Sequence, residues 1–166
     1  MNAFRVAILT VSDRCSRGEA TDASGPALAA LVRSAFSAEV AAAACVPDEA
    51  TLIATQLKSW AQLQPPVDLI LTTGGTGLSP RDVTPEATLA VLDRRHAGLL
   101  ELARLRCLEK SPRAFLSRGE AGTIDRTLII NLPGSPRGAA EMLQAIIEIL
   151  PHALDTLRGQ DAHRQE

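Results

Sequence analysis

The chain has 166 residues, enough for a domain that buries about 70% of its unfolded surface without disulfide or metal staples. Hydrophobic residues make up 46% of it but aromatics only 2%, so aliphatic packing must carry the core. A net charge of −2 lacks the basic excess expected of a nucleic-acid-binding domain.

Cys15, Cys45 and Cys107 are odd in number, far apart and without C-x-x-C spacing, which argues against a disulfide framework or a cysteine zinc site. No apolar run approaches ~18 residues and no charged-then-apolar leader opens the chain. A soluble, cytoplasmic protein with no membrane partner is therefore expected. Arginine outnumbers lysine 15 to 2. Arginine suits phosphate recognition, but an overall arginine bias explains the count equally well.

Arg5 to Val11 is an aliphatic, β-branched run that reads as a buried first strand. Ser12-Asp13-Arg14 and a polar segment to Asp22 follow. Ser24 reads as an N-cap and Pro26 as part of the first turn of a helix reaching Phe36, with Leu28, Leu31, Val32 and Phe36 on one face. Glu39 to Val46, short and followed by Pro47, reads as a second strand. Asp48 stands where the next helix begins, and Leu52, Ile53, Gln56, Leu57 and Trp60 share one face of that helix. Gln64-Pro65-Pro66 breaks it, and Val67 to Thr72 forms the third strand.

Thr84-Pro85 predicts a capped helix start, with the helix running to about Arg94. Gly98 separates it from a second helix over Leu99 to Leu108. Pro112 to Arg118 and Gly122 to Asp125 read as short extended pieces. Thr127 to Asn131 is the fourth strong strand, and an amphipathic helix runs from about Arg137 to Leu157. The tail from Gly159 is polar. This alternation predicts a parallel α/β sheet with helices on both faces, in a single domain over residues 1–158 with a tail over 159–166.

Ligands of such sheets sit beyond the carboxyl ends of the strands. Three segments emerge there: Ser12-Asp13-Arg14, Thr73 to Asp82, and Asn131 to Pro136. The second is the most informative. An aliphatic strand runs into Thr73-Gly74-Gly75-Thr76-Gly77 and on to Arg81-Asp82. Glycines let backbone N–H groups turn toward an anion, above all a phosphate. The Gly-Lys-[Ser/Thr] ending of a Walker loop is absent. A tight strand-to-helix turn is the alternative for the glycines. Asp82 reads as a metal-phosphate carboxylate or an ion-pair partner of Arg81, Asp48 as a site carboxylate or a helix cap, and Asp13 as a site carboxylate or an Asx-turn. Ser117 and Asn131 could bond a ligand or satisfy local backbone. His96, His152 and His163 lack metal-ligand spacing.

Five ordered words complete the pattern: Thr10-Val11-Ser12-Asp13, Val46-Pro47-Asp48-Glu49, Leu71 to Thr88, Leu116-Ser117-Arg118, and Ile130 to Pro136. Spanning residues 5–158, they resemble the molybdopterin adenylyltransferase family of molybdenum-cofactor synthesis, of the gephyrin G-domain type. The resemblance implies a doubly wound, three-layer α/β sandwich, a homotrimer, and transfer of AMP from ATP to the terminal phosphate of molybdopterin. It places Asp48 and Asp82 at the family's two singled-out aspartates; because the reaction must bring two anions together, this pair is expected to hold the Mg²⁺ that accompanies ATP, or to orient its ligands and the nucleotide. It places Gly74, Gly75, Thr76 and Gly77 on a phosphate loop, and Ser117, Asn131, Pro133, Gly134, Ser135 and Pro136 along the substrate cleft; Ser12, Asp13 and Thr73 join the binding candidates by their place at the strand ends. A molybdate-insertion partner downstream is also implied. A non-catalytic molybdopterin-binding protein of the same fold is the competing expectation.

Overall fold

The computed structural model describes residues 3–159. Six strands form one sheet: β1 (Phe4–Val11), β2 (Ala38–Val46), β3 (Leu69–Thr73), β4 (Arg94–Arg95), β5 (Ala121–Ile124) and β6 (Thr127–Leu132), in the order β2-β1-β3-β6-β5-β4. The pairings of β1 with β2, β1 with β3, and β3 with β6 are parallel, while β6–β5 and β5–β4 are antiparallel. Asp125, at φ 49°, turns the chain between β5 and β6.

Period-2 alternation along the strands divides the core between the two faces. Val6, Ile8, Leu69, Leu71, Leu128 and Ile130 pack against α2 (Ser24–Ala35), α5 (Gly98–Cys107), α6 (Pro136–Gln144) and α7 (Leu150–Arg158). Ala7, Leu9, Val11, Ile70 and Ile129 pack against α3 (Ala50–Ala61) and α4 (Thr84–Leu89). The result is the expected three-layer α/β sandwich. Among the described residues no helix is long and apolar enough to cross a membrane.

Several elements differ from the sequence expectation. Asp13–Ser16 forms a short helix, α1, whose N-cap Ser12 accepts a hydrogen bond from the Cys15 N–H. Ser24 lies inside α2, and Asp22 instead accepts the Gly25 N–H at 3.0 Å. Helix α4 ends at Leu89 rather than near Arg94, because the following backbone is taken up by the sheet: the Asp93 N–H donates to Thr123 and the His96 N–H to Ala121. Pro112–Leu116 is a 3-10 turn rather than an extended piece. The last helix is broken into α6 and α7 by a 3-10 turn, Ile147–Ile149, just before Pro151, which lacks the N–H that a continuous helix would use. The expectations for 160–166, His163 included, lie outside the described residues.

Candidate active site

The carboxyl ends of β1, β3 and β6 lie side by side, since Thr10 pairs with Thr73 and Thr73 with Leu132. The loops that leave them therefore meet. A cavity of about 350 Å³ is lined by Ser12, Thr73, Gly74, Gly75, Asp48, Asp82, Gly134 and Pro136, and also by Thr10, Asp22 and Ser24. A second, of about 300 Å³, is lined by Gly75, Thr76, Gly77, Asp82, Ser117, Pro133, Gly134 and Arg113. Gly75, Asp82 and Gly134 border both, so the two form one cleft.

The glycine loop is held by close approach. Gly74, at φ 105°, passes so near β1 that a β-carbon would stand 2.1 Å from the Val11 carbonyl oxygen. Thr84 clasps the turn, its hydroxyl donating to the Gly74 carbonyl at 2.9 Å and its N–H to the Gly75 carbonyl at 3.0 Å. It does not cap α4, as its position had suggested. Arg118 fixes the other side: its guanidinium donates to the carbonyls of Gly77 (2.8 Å) and Asp82 (2.6 Å) and pairs with Glu86. With its carbonyls so engaged, the loop leaves the N–H groups of Gly75, Thr76 and Gly77 without an acceptor among the described residues. Consecutive unaccepted N–H groups of this kind form an anion cradle.

Two carboxylates, Asp48 and Asp82, stand beside this cradle, and Asp13 is bonded to the first of them. Asp48 Oδ1 lies 3.0 Å, and Asp82 Oδ2 2.9 Å, from the places where β-carbons on Gly75 and Gly77 would stand. Asp82 Oδ2 accepts the Ser79 N–H at 2.9 Å. Asp48 does not cap α3; its Oδ2 accepts the Asp13 N–H at 2.9 Å, and Asp13 Oδ1 accepts the Asp48 N–H at 3.1 Å. Burial, then the neighbouring charges of Asp13 and Asp82, push the Asp48 carboxyl above its ordinary range. Hydrogen bonds from Arg81 hold the Asp13 carboxyl below its own.

Other sequence candidates play supporting parts. Asn131 is fully buried: its amide donates to the hydroxyls of Thr72 and Thr88 at 3.0 and 2.9 Å, and its carbonyl accepts the Glu120 N–H at 3.1 Å. Its polar atoms are spent inside the protein, so it ties β3, α4 and β6 together rather than reaching a ligand. Thr73 donates to the Pro133 carbonyl at 2.7 Å, joining the glycine loop to the segment after β6. Ser117 donates to the Thr76 hydroxyl at 3.2 Å. Ser135 caps α6 by accepting the Gly138 N–H.

The sequence reading missed Asp22 and Arg118. Asp22 accepts from the Thr10 hydroxyl at 2.6 Å and borders the cleft. A Thr-Asp pair just ahead of Ser-Gly-Pro signals a helix start, and that was its only mark. A basic groove of about 460 Å³, lined by Lys110, Arg113, Ser135 and Arg137, adjoins the cleft at Arg113 and Pro133. Among the described residues no group of three or more His, Cys, Asp or Glu is placed to hold a metal.

The fold and site together define a mostly parallel α/β sandwich with a glycine loop and paired carboxylates at its strand ends. The comparisons make this more specific. Residues 7–152 match the family described as a probable molybdopterin binding domain, MoCF_biosynth, and the chain belongs to it. It is 38% identical to the molybdopterin adenylyltransferase of Helicobacter pylori strain J99, covering 96% of this chain and 90% of that protein. Against the molybdopterin adenylyltransferase of Escherichia coli K12 the figures are 39%, 88% and 75%. The molybdopterin biosynthesis enzyme MoaB from Thermus thermophilus superposes with a TM-score of 0.88 at 54% identity, covering 94% of this chain and 97% of that one. The chain spans about a quarter of the length of two larger relatives, the Drosophila molybdenum cofactor synthesis protein cinnamon (26%) and Dictyostelium gephyrin (23%).

Proposed function

We propose that this cleft transfers AMP from ATP to the terminal phosphate of molybdopterin. An oxygen of that phosphate attacks the α-phosphorus of ATP. The new P–O–P bond forms as the bond between the α-phosphorus and its bridging oxygen breaks, and the electron pair leaves with pyrophosphate. The nucleophile is a phosphate monoester with a second pKa of about 6, so it needs no general base at neutral pH. What the reaction needs is orientation of two anions and neutralisation of their charge. The observation that carries the reading is the set of three unaccepted N–H groups, at Gly75, Thr76 and Gly77, in a loop that packs beside Asp48 and Asp82.

The donor set fits a magnesium ion carried by the nucleotide. Asp48 Oδ1 accepts no hydrogen bond among the described residues, and burial together with the charges of Asp13 and Asp82 outweighs the pull of Arg81 on its carboxyl. Magnesium favours one or two carboxylates plus substrate phosphates over an all-protein cage. Asp48 and Asp82 would hold it, and it would supply positive charge against the phosphate oxygens. The glycine-loop N–H groups orient the reacting phosphates, and Ser12, Thr73 and the Pro133 to Pro136 segment shape the cleft around them. We further read the protein as a cytoplasmic homotrimer that hands adenylylated molybdopterin to a molybdate-inserting partner.

The test is pyrophosphate release from purified protein mixed with ATP, Mg²⁺ and molybdopterin. Release that depends on molybdopterin supports the reading. Retention of molybdopterin with no pyrophosphate would leave a binding protein instead.

A further inference from the structure

Asp13 stands between the two segments that carry the site carboxylates. Its Oδ1 accepts the backbone N–H of Asp48 at 3.1 Å, and both its oxygens accept from the Arg81 guanidinium at 2.8 to 3.1 Å. Arg81 is the neighbour of Asp82 in the glycine loop. One side chain thus bolts the exit of β2, where Asp48 sits, to the loop of Asp82. The bond is reciprocal on the Asp48 side, because the Asp13 N–H holds Asp48 Oδ2 and leaves Oδ1 turned toward Gly75. Both Asp13 oxygens are committed, so its carboxylate has little left to offer a substrate.

We propose that Asp13 and Arg81 are positioning residues, a brace that sets the placement of Asp48 relative to Asp82 and touches neither substrate. The inference rests on the adenylyl-transfer reading of the cleft. The pair is accessible, with Arg81 60% and Asp13 25% exposed at the side chain, and exposed ion pairs add little to stability. Removing the brace therefore leaves a folded protein whose two carboxylates are no longer held in register.

The experiment compares Asp13→Ala, Asp13→Asn, Arg81→Ala and Arg81→Lys with the unaltered chain. For each, kcat and KM are measured in adenylyl transfer, and Mn²⁺ binding is followed by electron paramagnetic resonance with a non-hydrolysable ATP analogue. Both alanine variants are expected to lose roughly tenfold or more in kcat and in Mn²⁺ affinity, as when a group orienting a metal-binding side chain is removed. Their KM for molybdopterin and their melting temperature stay near those of the parent. Asp13→Asn, which keeps an acceptor for the Asp48 N–H, and Arg81→Lys, which keeps a cation, recover part of the loss. Unchanged kcat and Mn²⁺ affinity in Asp13→Ala would overturn the proposal. So would a rise confined to KM for molybdopterin, which would make Asp13 a substrate contact. If the parent releases no pyrophosphate, adenylyl transfer is rejected, and the Mn²⁺ measurement still decides whether the brace exists.

Discussion

Asp48 and Gly75 are so close that a β-carbon on the glycine would stand 3.0 Å from Asp48 Oδ1. The carboxylate and the glycine loop are thus built as one surface, though they lie 27 positions apart in the chain. Gly75 sits at φ 63°, and the same β-carbon would meet the Thr84 hydroxyl at 2.3 Å. Gly75→Ala is expected to cost at least ~1–2 kcal/mol for the left-handed backbone alone. Urea denaturation would measure this, and adenylyl transfer should fall further than stability does. An unchanged midpoint would mean that the loop relaxes freely.

Asp82→Asn is expected to lower turnover at least ~100-fold while molybdopterin binding is largely kept, the pattern of a group that acts mainly in the transition state. The measurement is kcat against an independent binding isotherm. Near-normal turnover would remove Asp82 from the chemistry.

Asp48 carries a pH prediction. Its carboxyl is raised, first by burial and then by the charges of Asp13 and Asp82, so the native state holds the proton more tightly than the unfolded chain does. Stability contributed through this group accordingly falls as pH rises from the ordinary carboxylate range through the raised native value. Asp48→Asn removes that cost at neutral pH. The variant should melt at or above the parent temperature near neutrality, lose this advantage in acid, and lose adenylyl transfer. A lower melting temperature at neutral pH would show that the charged form is structurally required.

Asn131→Ala should act on stability. It strands the buried hydroxyls of Thr72 and Thr88 and the partly buried Glu120 N–H, and one buried group left unsatisfied costs about 1–3 kcal/mol. Denaturant midpoints would fall, while KM for both substrates in the remaining folded protein stays near the parent value.

Arg158 closes the opposite rim of the sheet. It pairs through two nitrogens with Asp68 at 2.7 Å, and its guanidinium carbon lies 4.5 Å from the Phe4 ring centre. Arg158→Ala leaves the buried Asp68 carboxylate with only the Arg5 N–H, at 2.7 Å, among these contacts. With both side chains mostly but not wholly buried, the loss is expected to be about 2–3 kcal/mol, at or just below the range for fully buried pairs. Calorimetry would measure it, with kcat at low temperature unaffected.

The layers of the fold were legible because long aliphatic strands and amphipathic helices repeat with clear periods. The glycine loop was legible from its composition and from the strand before it. The strand Arg94–Arg95 was not, since two residues carry no period and its pairing depends on β5, some 27 residues later in the chain. Asn131 on a buried strand gave no local sign of whether its amide met a ligand or other side chains. Its partners, Thr72 and Thr88, lie 59 and 43 residues away. Arg118 lay inside a recognised word, yet its bonds to Gly77 and Asp82 are set by tertiary packing alone.

Strand β6 is the last of the six to be synthesised, yet it lies in the interior of the sheet, between β3 and β5. A chain still emerging from the ribosome therefore lacks one wall of the cleft until β6 docks and Pro133 meets Thr73. Products that stop before β6 should accordingly lack the assembled cleft, so the site comes into being only with the nearly finished chain.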